Sequence, residues 1–268
     1  MARDKDSMKN ILIVALSVCF VCSVIVSGAA VSLKPERMAN KALDRNKNIL
    51  IAAGLYERGV TQDEEIDGLF ESFEIRVVDM QAQRLLSERE AEETGIDFSR
   101  YDQRKASKDP ALSVPLSTKE DTASISRRAN YSIAYLLKRD DRLERIVLPI
   151  HGYGLWSTLY GFIALGPDGN TVSGITFYEH QETAGLGGEV DNPKWKALWP
   201  GKEIYGADGN VALRIIKGSV NASAPGAKHQ VDGLSGATLT SRGVHNLIGY
   251  WLGDKAFGPV LKNLEGDT

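Results

Sequence analysis

The sequence predicts an α+β protein: one N-terminal transmembrane helix followed by a soluble domain with a mostly antiparallel sheet. Three observations carry that reading. Residues 11–33 contain no charged side chain. Strand-length apolar runs at 145–150, 158–165 and 172–177 follow one another with short connections, as in an antiparallel meander. Near the C-terminus Val244, Leu247, Ile248, Trp251 and Leu252 recur at helical spacing and mark one buried helix face.

Residues 1–10 read as a short tail. At 1.5 Å rise per residue the 11–33 segment is about 34 Å long, enough for the hydrocarbon layer of a membrane. A cleaved signal peptide competes with this reading, because residues 27–30 (Ser-Gly-Ala-Ala) are as small as a cleavage site requires. The apolar run exceeds the ~7–15 residues of a signal core, so a retained anchor is expected. Arg3, Lys5 and Lys9 precede the helix, while Lys34, Arg37, Lys41, Arg45 and Lys47 follow it. The charge count therefore points the large domain towards the cytoplasm. Cys19 and Cys22 lie three residues apart on one face of this helix. They read either as a redox pair, or half of an iron–sulfur site shared with another subunit, or as small apolar residues tolerant of burial. The rest of the chain has no cysteine, so its stability comes from its core and not from disulfides.

Beyond the anchor, residues 46–58 read as a strand or a short helix ending at Gly59. Ile66, Leu69, Phe70 and Phe73 give 63–73 a helical pattern, and 74–78 reads as a strand. Residues 79–144 are charged and irregular, with 84–93 helical, and read as an inserted or accessory layer. The soluble part thus divides into a membrane-proximal accessory part at 34–144 and a main domain at 145–268. Gly166-Pro-Asp-Gly-Asn170 is a hairpin signal between two strands. Residues 211–216 form a further strand, and an Ala/Gly/Ser-rich loop at 218–227 follows. Helices are expected on one side of the sheet.

Composition narrows the function. With 43% hydrophobic residues the chain can build a sizeable core. A net charge of −3 and a pI near 5.9 exclude the basic footprint of a nucleic-acid binder. The histidines at 151, 180, 229 and 245 form no i, i+4 pair and no His-Cys cluster, so no metal site is expected. His151 and His229 read equally as neighbours of a binding site or as ordinary surface residues. Gly152-x-Gly154 lacks the third glycine and the following helix of a dinucleotide fingerprint. No catalytic nucleophile stands out.

The most informative segment is Asp232-Gly-Leu-Ser-Gly-Ala-Thr-Leu-Thr240, directly before the C-terminal helical pattern. Thr240 or Ser241 suits the N-cap, and Gly253 is placed to stop the helix. Unpaired N–H groups and the helix dipole at such an N-terminus favour a phosphate, by about 0.3–1 kcal/mol per negative charge. Gly236 lets the backbone approach closely, and Arg242 adds positive charge. Ser235, Thr238, Thr240 and Ser241 all offer a hydroxyl. The same residues also read as a Gly-rich loop with an ordinary cap.

Two other segments add to it. Tyr178-Glu-His-Gln-Glu-Thr-Ala-Gly-Leu-Gly-Gly188 follows the 172–177 strand. Its glycines free backbone N–H groups, and Leu186 can cover a ring face. Tyr153-Gly-Leu-Trp-Ser157 sets an aromatic in a Gly-flanked connection, where Trp156 reads either as a stacking contact or as core.

Together the segments resemble the FMN-binding domain family, in particular the C-type subunits of Na+-translocating NADH:quinone oxidoreductases. The resemblance covers nearly the whole chain and shows no departure within the motif. It implies that Thr238 receives FMN through a phosphoester, put there by a separate flavin transferase that uses FAD. It implies that Ser235, Gly236, Ala237 and Leu239 line the attachment site. By the same resemblance Glu182, Thr183, Leu186 and Gly187 lie against the isoalloxazine ring, with Trp156 near the cofactor. The expected function is an electron relay from NADH towards ubiquinone, coupled to Na+ export, beside A-, B-, D-, E- and F-type subunits. The family places the soluble domain on the periplasmic side of the bacterial inner membrane, against the charge count. An Rnf-type G subunit keeps the same chemistry with ferredoxin as donor and NAD+ as acceptor; the added 79–144 stretch speaks against it. A flavin-free, membrane-anchored binding or assembly protein is the third reading and predicts a colourless protein.

Overall fold

The computed structural model describes residues 7–57, 59–98 and 100–264, and the chain divides into two compact units at residues 45/46. Arg3 and Lys5, used in the charge count, lie outside the described residues. In the first unit, α1 (Met8–Ser32) has a mean hydropathy of 2.7 over an 18-residue window and no buried residue in it. It is long and apolar enough to cross a membrane once, as expected, and holds both cysteines. A second helix, α2 (Lys34–Ala52), continues into the second unit.

The second unit is built on a six-stranded antiparallel sheet. Its strands are β1 (Phe73–Asp79), β2 (Arg84–Leu85), β5 (Tyr131–Arg139), β6 (Arg142–Tyr153), β7 (Thr158–Leu165) and β8 (Val172–Glu179), in the order β2-β1-β5-β6-β7-β8. Two short strands, β3 (Ser113–Pro115) and β4 (Arg127–Ala129), pair beside it. A parallel pair, β9 (Arg214–Ile216) with β10 (Gln230–Asp232), lies near the C-terminal helix. The short helices are α3 (Ile66–Phe70), α4 (Glu88–Glu93), α5 (Gln103–Ala106) and α6 (Pro193–Lys196); α7 (Thr238–Trp251) and α8 (Gly258–Leu264) close the chain.

Alternation decides which side of the sheet each strand residue faces. Ile146, Leu148 and Ile150 of β6, with Leu159, Ile163 and Leu165 of β7, meet the apolar face of α7, whose Val244, Leu247, Ile248 and Trp251 are all buried. Each such side chain contributes about 1.5–3 kcal/mol by leaving water. The opposite face is covered too. Phe70 of α3 packs on Phe73 and Tyr135, Tyr135 on Phe162, and Thr176 donates to the Asn48 carbonyl of α2. Helices therefore lie on both faces, where the sequence pointed to one, because the strand residues of the second face are apolar as well.

Four boundaries differ from expectation. Residues 46–52 finish α2, and the chain turns at Gly54 with φ +70°. Within 84–93, only 88–93 is helical, capped by Ser87 and Glu90 in a reciprocal box. Of 211–216, only β9 is a strand. The largest difference is β5, a central strand inside the supposedly accessory stretch. It forms a hairpin with β6 through Asp140 and Asp141, both at positive φ, so the sheet runs unbroken across residue 144.

Candidate functional site

Helix α7 begins at Thr238, with Ala237 in the cap position and no side-chain cap. The expected caps are used elsewhere. Ser241 Oγ accepts the Leu234 N–H at 2.9 Å and pins the preceding turn. Thr240 Oγ1 donates to Glu182 Oε2 at 2.7 Å. Thr238 therefore stands in the first helical turn, exposed, where the N–H groups have no acceptor within the helix. Ser235 and Gly236 form the exposed turn before it, with Gly236 at φ +72°, and Ala237 is buried.

Glu182 joins this helix to the hairpin between β6 and β7. Its Oε1 accepts the N–H groups of Leu155 (3.1 Å), Trp156 (2.9 Å) and Ser157 (3.2 Å), on the side of the carboxylate away from Thr240. The residue is buried. Burial works against its charge, but the Thr240 hydroxyl and the three N–H groups outweigh that and hold its pKa below the usual carboxylate value. Glycines make the junction possible. A Cβ on Gly187 would stand 2.5 Å from Thr240 Oγ1, and one on Gly154 would stand 2.7 Å from Glu182 Oε1.

All three sequence segments thus meet at one end of the sheet. Leu186 Cδ2 reaches to 3.0 Å from where a Cβ on Gly236 would be. Trp156 at the hairpin tip is 64% exposed, with Leu186 and Leu239 exposed on the segments tied to it. Thr183 is exposed, and Gly187 is buried against the Glu182–Thr240 pair. On the other side of Thr238 runs an open groove lined by Ile215, Ile216, Lys217, Arg242 and His245. Exposed Lys217 and Arg242 supply its positive charge.

Two of the undecided histidines are accounted for by packing. The His151 ring stacks on Tyr160 and lies 4.7 Å from the Trp251 ring, and His229 Nδ1 contacts the Glu203 carbonyl at 2.8 Å. Sequence reasoning missed Thr240 as the partner of Glu182, and Gly154 and Gly243 as close-approach positions. It also missed Asp232 as a loop brace: its carboxylate accepts the Val220 N–H at 2.8 Å.

An exposed hydroxyl on a helix N-terminus, beside exposed apolar side chains and a cationic groove, suits a phosphate-bearing aromatic group. A family model described as an FMN-binding domain matches residues 154–253. Over 262 residues the chain is 52% identical to the C-type subunit of the Na(+)-translocating NADH-quinone reductase of Pseudomonas aeruginosa, covering 97% of both chains. It is 46% identical to the protein of the same name from Vibrio campbellii, again over 97% of each. The crystal structure of Shewanella oneidensis NqrC matches 85% of this chain and 99% of its own, with a TM-score of 0.74 at 32% identity. The chain belongs to the NqrC family, the C-type subunits of the Na+-translocating NADH-quinone reductases.

Proposed function

We propose that Thr238 carries FMN through a phosphoester and that the chain serves as an electron relay in a Na+-translocating NADH:quinone reductase. The observation that carries this is the exposed Thr238 hydroxyl in the first turn of α7, with Trp156, Leu186 and Leu239 exposed on segments bound to that turn. Attachment balances as a transfer from FAD: the Thr238 oxygen bonds to the flavin-side phosphorus, the diphosphate bridge breaks, AMP leaves and the hydroxyl proton passes to solvent. The remaining phosphodiester charge faces the first-turn N–H groups, with Arg242 and Lys217 lining the adjoining groove.

Bound FMN supplies the redox chemistry; the protein binds, orients and shields it. Leu186, Leu239 and Trp156 offer apolar surface to the ring, and Ser235, Gly236 and Ala237 shape the turn that presents Thr238. Glycines at 185, 187 and 188 keep the 183–188 loop close to α7. Transfer of electrons from NADH towards ubiquinone, with Na+ export, falls to the assembled A- to F-type subunits, and a flavin transferase matures this one. The soluble domain lies on the periplasmic side. Relatives at 52% identity over 97% of the chain favour this relay over an Rnf-type protein. In native membranes, Thr238→Ala is expected to leave the complex assembled and to abolish Na+-dependent NADH:quinone reduction. Undiminished activity of an assembled Thr238→Ala complex would overturn the reading.

A further inference from the structure

Glu182 stands where three chain segments converge: the hairpin tip at 154–157, the loop after β8, and the first turn of α7. One carboxylate oxygen collects the N–H groups of Leu155, Trp156 and Ser157 at 2.9–3.2 Å, and the other takes the Thr240 hydroxyl at 2.7 Å. A carboxylate has about four acceptor sites, and the fold itself fills them here. The residue is 8% exposed. Gly154 and Gly187 close over it, since a Cβ at either would fall within 2.8 Å of a carboxylate oxygen. A carboxylate enclosed in this way holds parts of the protein together and has no free lone pair to offer a ligand.

We propose that Glu182 is the positioning residue of the flavin site, a clamp that fixes Trp156 against the acceptor turn carrying Thr238. The inference rests on the FMN reading above for its purpose, and on the hydrogen bonds alone for its geometry. Two residues separate Thr240 from Thr238 along the first helical turn, and the Trp156 N–H is itself held by the clamp. Fixing both through one side chain sets the acceptor hydroxyl and the covering aromatic in register before any flavin arrives. Small misplacements of reacting groups cost transfer rate steeply.

The test uses the full chain in detergent, with Glu182→Ala, Glu182→Gln and Thr240→Val. Amide hydrogen exchange is followed in the peptide spanning 154–157, and FMN attachment is followed by intact mass with a flavin transferase and FAD. Glu182→Ala is expected to speed exchange of that peptide at least about tenfold and to slow attachment by a similar factor. In Glu182→Gln the amide oxygen still accepts the hairpin N–H groups and its NH2 donates to Thr240 Oγ1, so both readouts stay near wild type. Thr240→Val is expected to keep hairpin protection and to slow attachment. Wild-type exchange and attachment in Glu182→Ala would overturn the clamp, as would loss in Glu182→Gln equal to that in the alanine variant. If Glu182→Ala does not fold, the Gln and Val variants decide between the same outcomes. A wild-type chain that takes no FMN defeats the FMN reading, while the exchange data still decide the clamp.

Discussion

Gly243 lies so close to Tyr153 that a Cβ on it would stand 2.5 Å from the Tyr153 carbonyl oxygen and 2.8 Å from the Gly154 Cα. Helix α7 thus touches the end of β6 backbone to backbone, one turn below the acceptor threonine. Neither neighbour is a flexible side chain, so the helix itself must move to admit a methyl group. Gly243→Ala is expected to destabilise the domain by about 1–3 kcal/mol. A denaturant titration measures this, and slower FMN attachment to Thr238 accompanies it.

Gly236 poses a different constraint, because its φ of +72° is strained for any residue with a Cβ. Gly236→Ala is expected to cost about 1–2 kcal/mol, and its methyl would press on Leu186 Cδ2 at 3.0 Å. A melting temperature unchanged from wild type would show that the turn relaxes into another conformation.

His151 makes stability depend on pH. Burial first, and then the nearby Arg104 charge, push its pKa down to about 4. The unfolded chain's imidazole, at about 6.5, takes up its proton before the folded one does. Its contribution therefore weakens the fold as pH falls from about 6.5 towards 4, and adds no further loss below that window. His151→Phe is expected to flatten the pH dependence of the melting temperature across this window. Parallel curves for the two proteins would contradict it.

Arg104 clamps Glu179 with two 2.6 Å hydrogen bonds and sits 3.5 Å above the Tyr160 ring. The pair is partly exposed, so solvent screens much of its attraction. Arg104→Ala is expected to cost about 1 kcal/mol in urea unfolding and to fray the end of β8.

Orientation is open to direct chemical test. The only native cysteines, Cys19 and Cys22, lie in α1, so a cysteine at exposed Ala222 reports on the soluble domain alone. Ala222→Cys in intact cells is expected to react with a membrane-impermeant maleimide. Labelling only after the inner membrane is opened would place the domain in the cytoplasm, as the flanking charges suggest.

The sequence reveals some of this architecture and hides the rest for identifiable reasons. The β6–β7–β8 meander shows in its apolar runs, and the buried face of α7 in the spacing of Val244, Leu247, Ile248 and Trp251. Strand β5 was obscured because Lys138, Arg139, Asp140, Asp141 and Arg142 make its end look like part of a solvated stretch. The Asp140-Asp141 pair was the signal, as a two-residue turn with both φ values positive. The start of α7 was displaced because side-chain hydroxyls suggest caps, whereas here Thr240 and Ser241 bind Glu182 and Leu234, far apart or reversed in sequence. The Glu182–Thr240 contact spans 58 residues, and no local pattern encodes it. Gly154, Gly187 and Gly243 are legible only once the neighbours that exclude a Cβ are known.

The most direct measurement is intact mass, with in-gel ultraviolet fluorescence, of the chain made with and without a flavin transferase, beside Thr238→Ala. A fluorescent band heavier by one esterified FMN, present only with the transferase and absent from Thr238→Ala, is the expected result. An unmodified, colourless wild-type chain in the presence of active transferase would contradict it and leave a membrane-anchored binding protein.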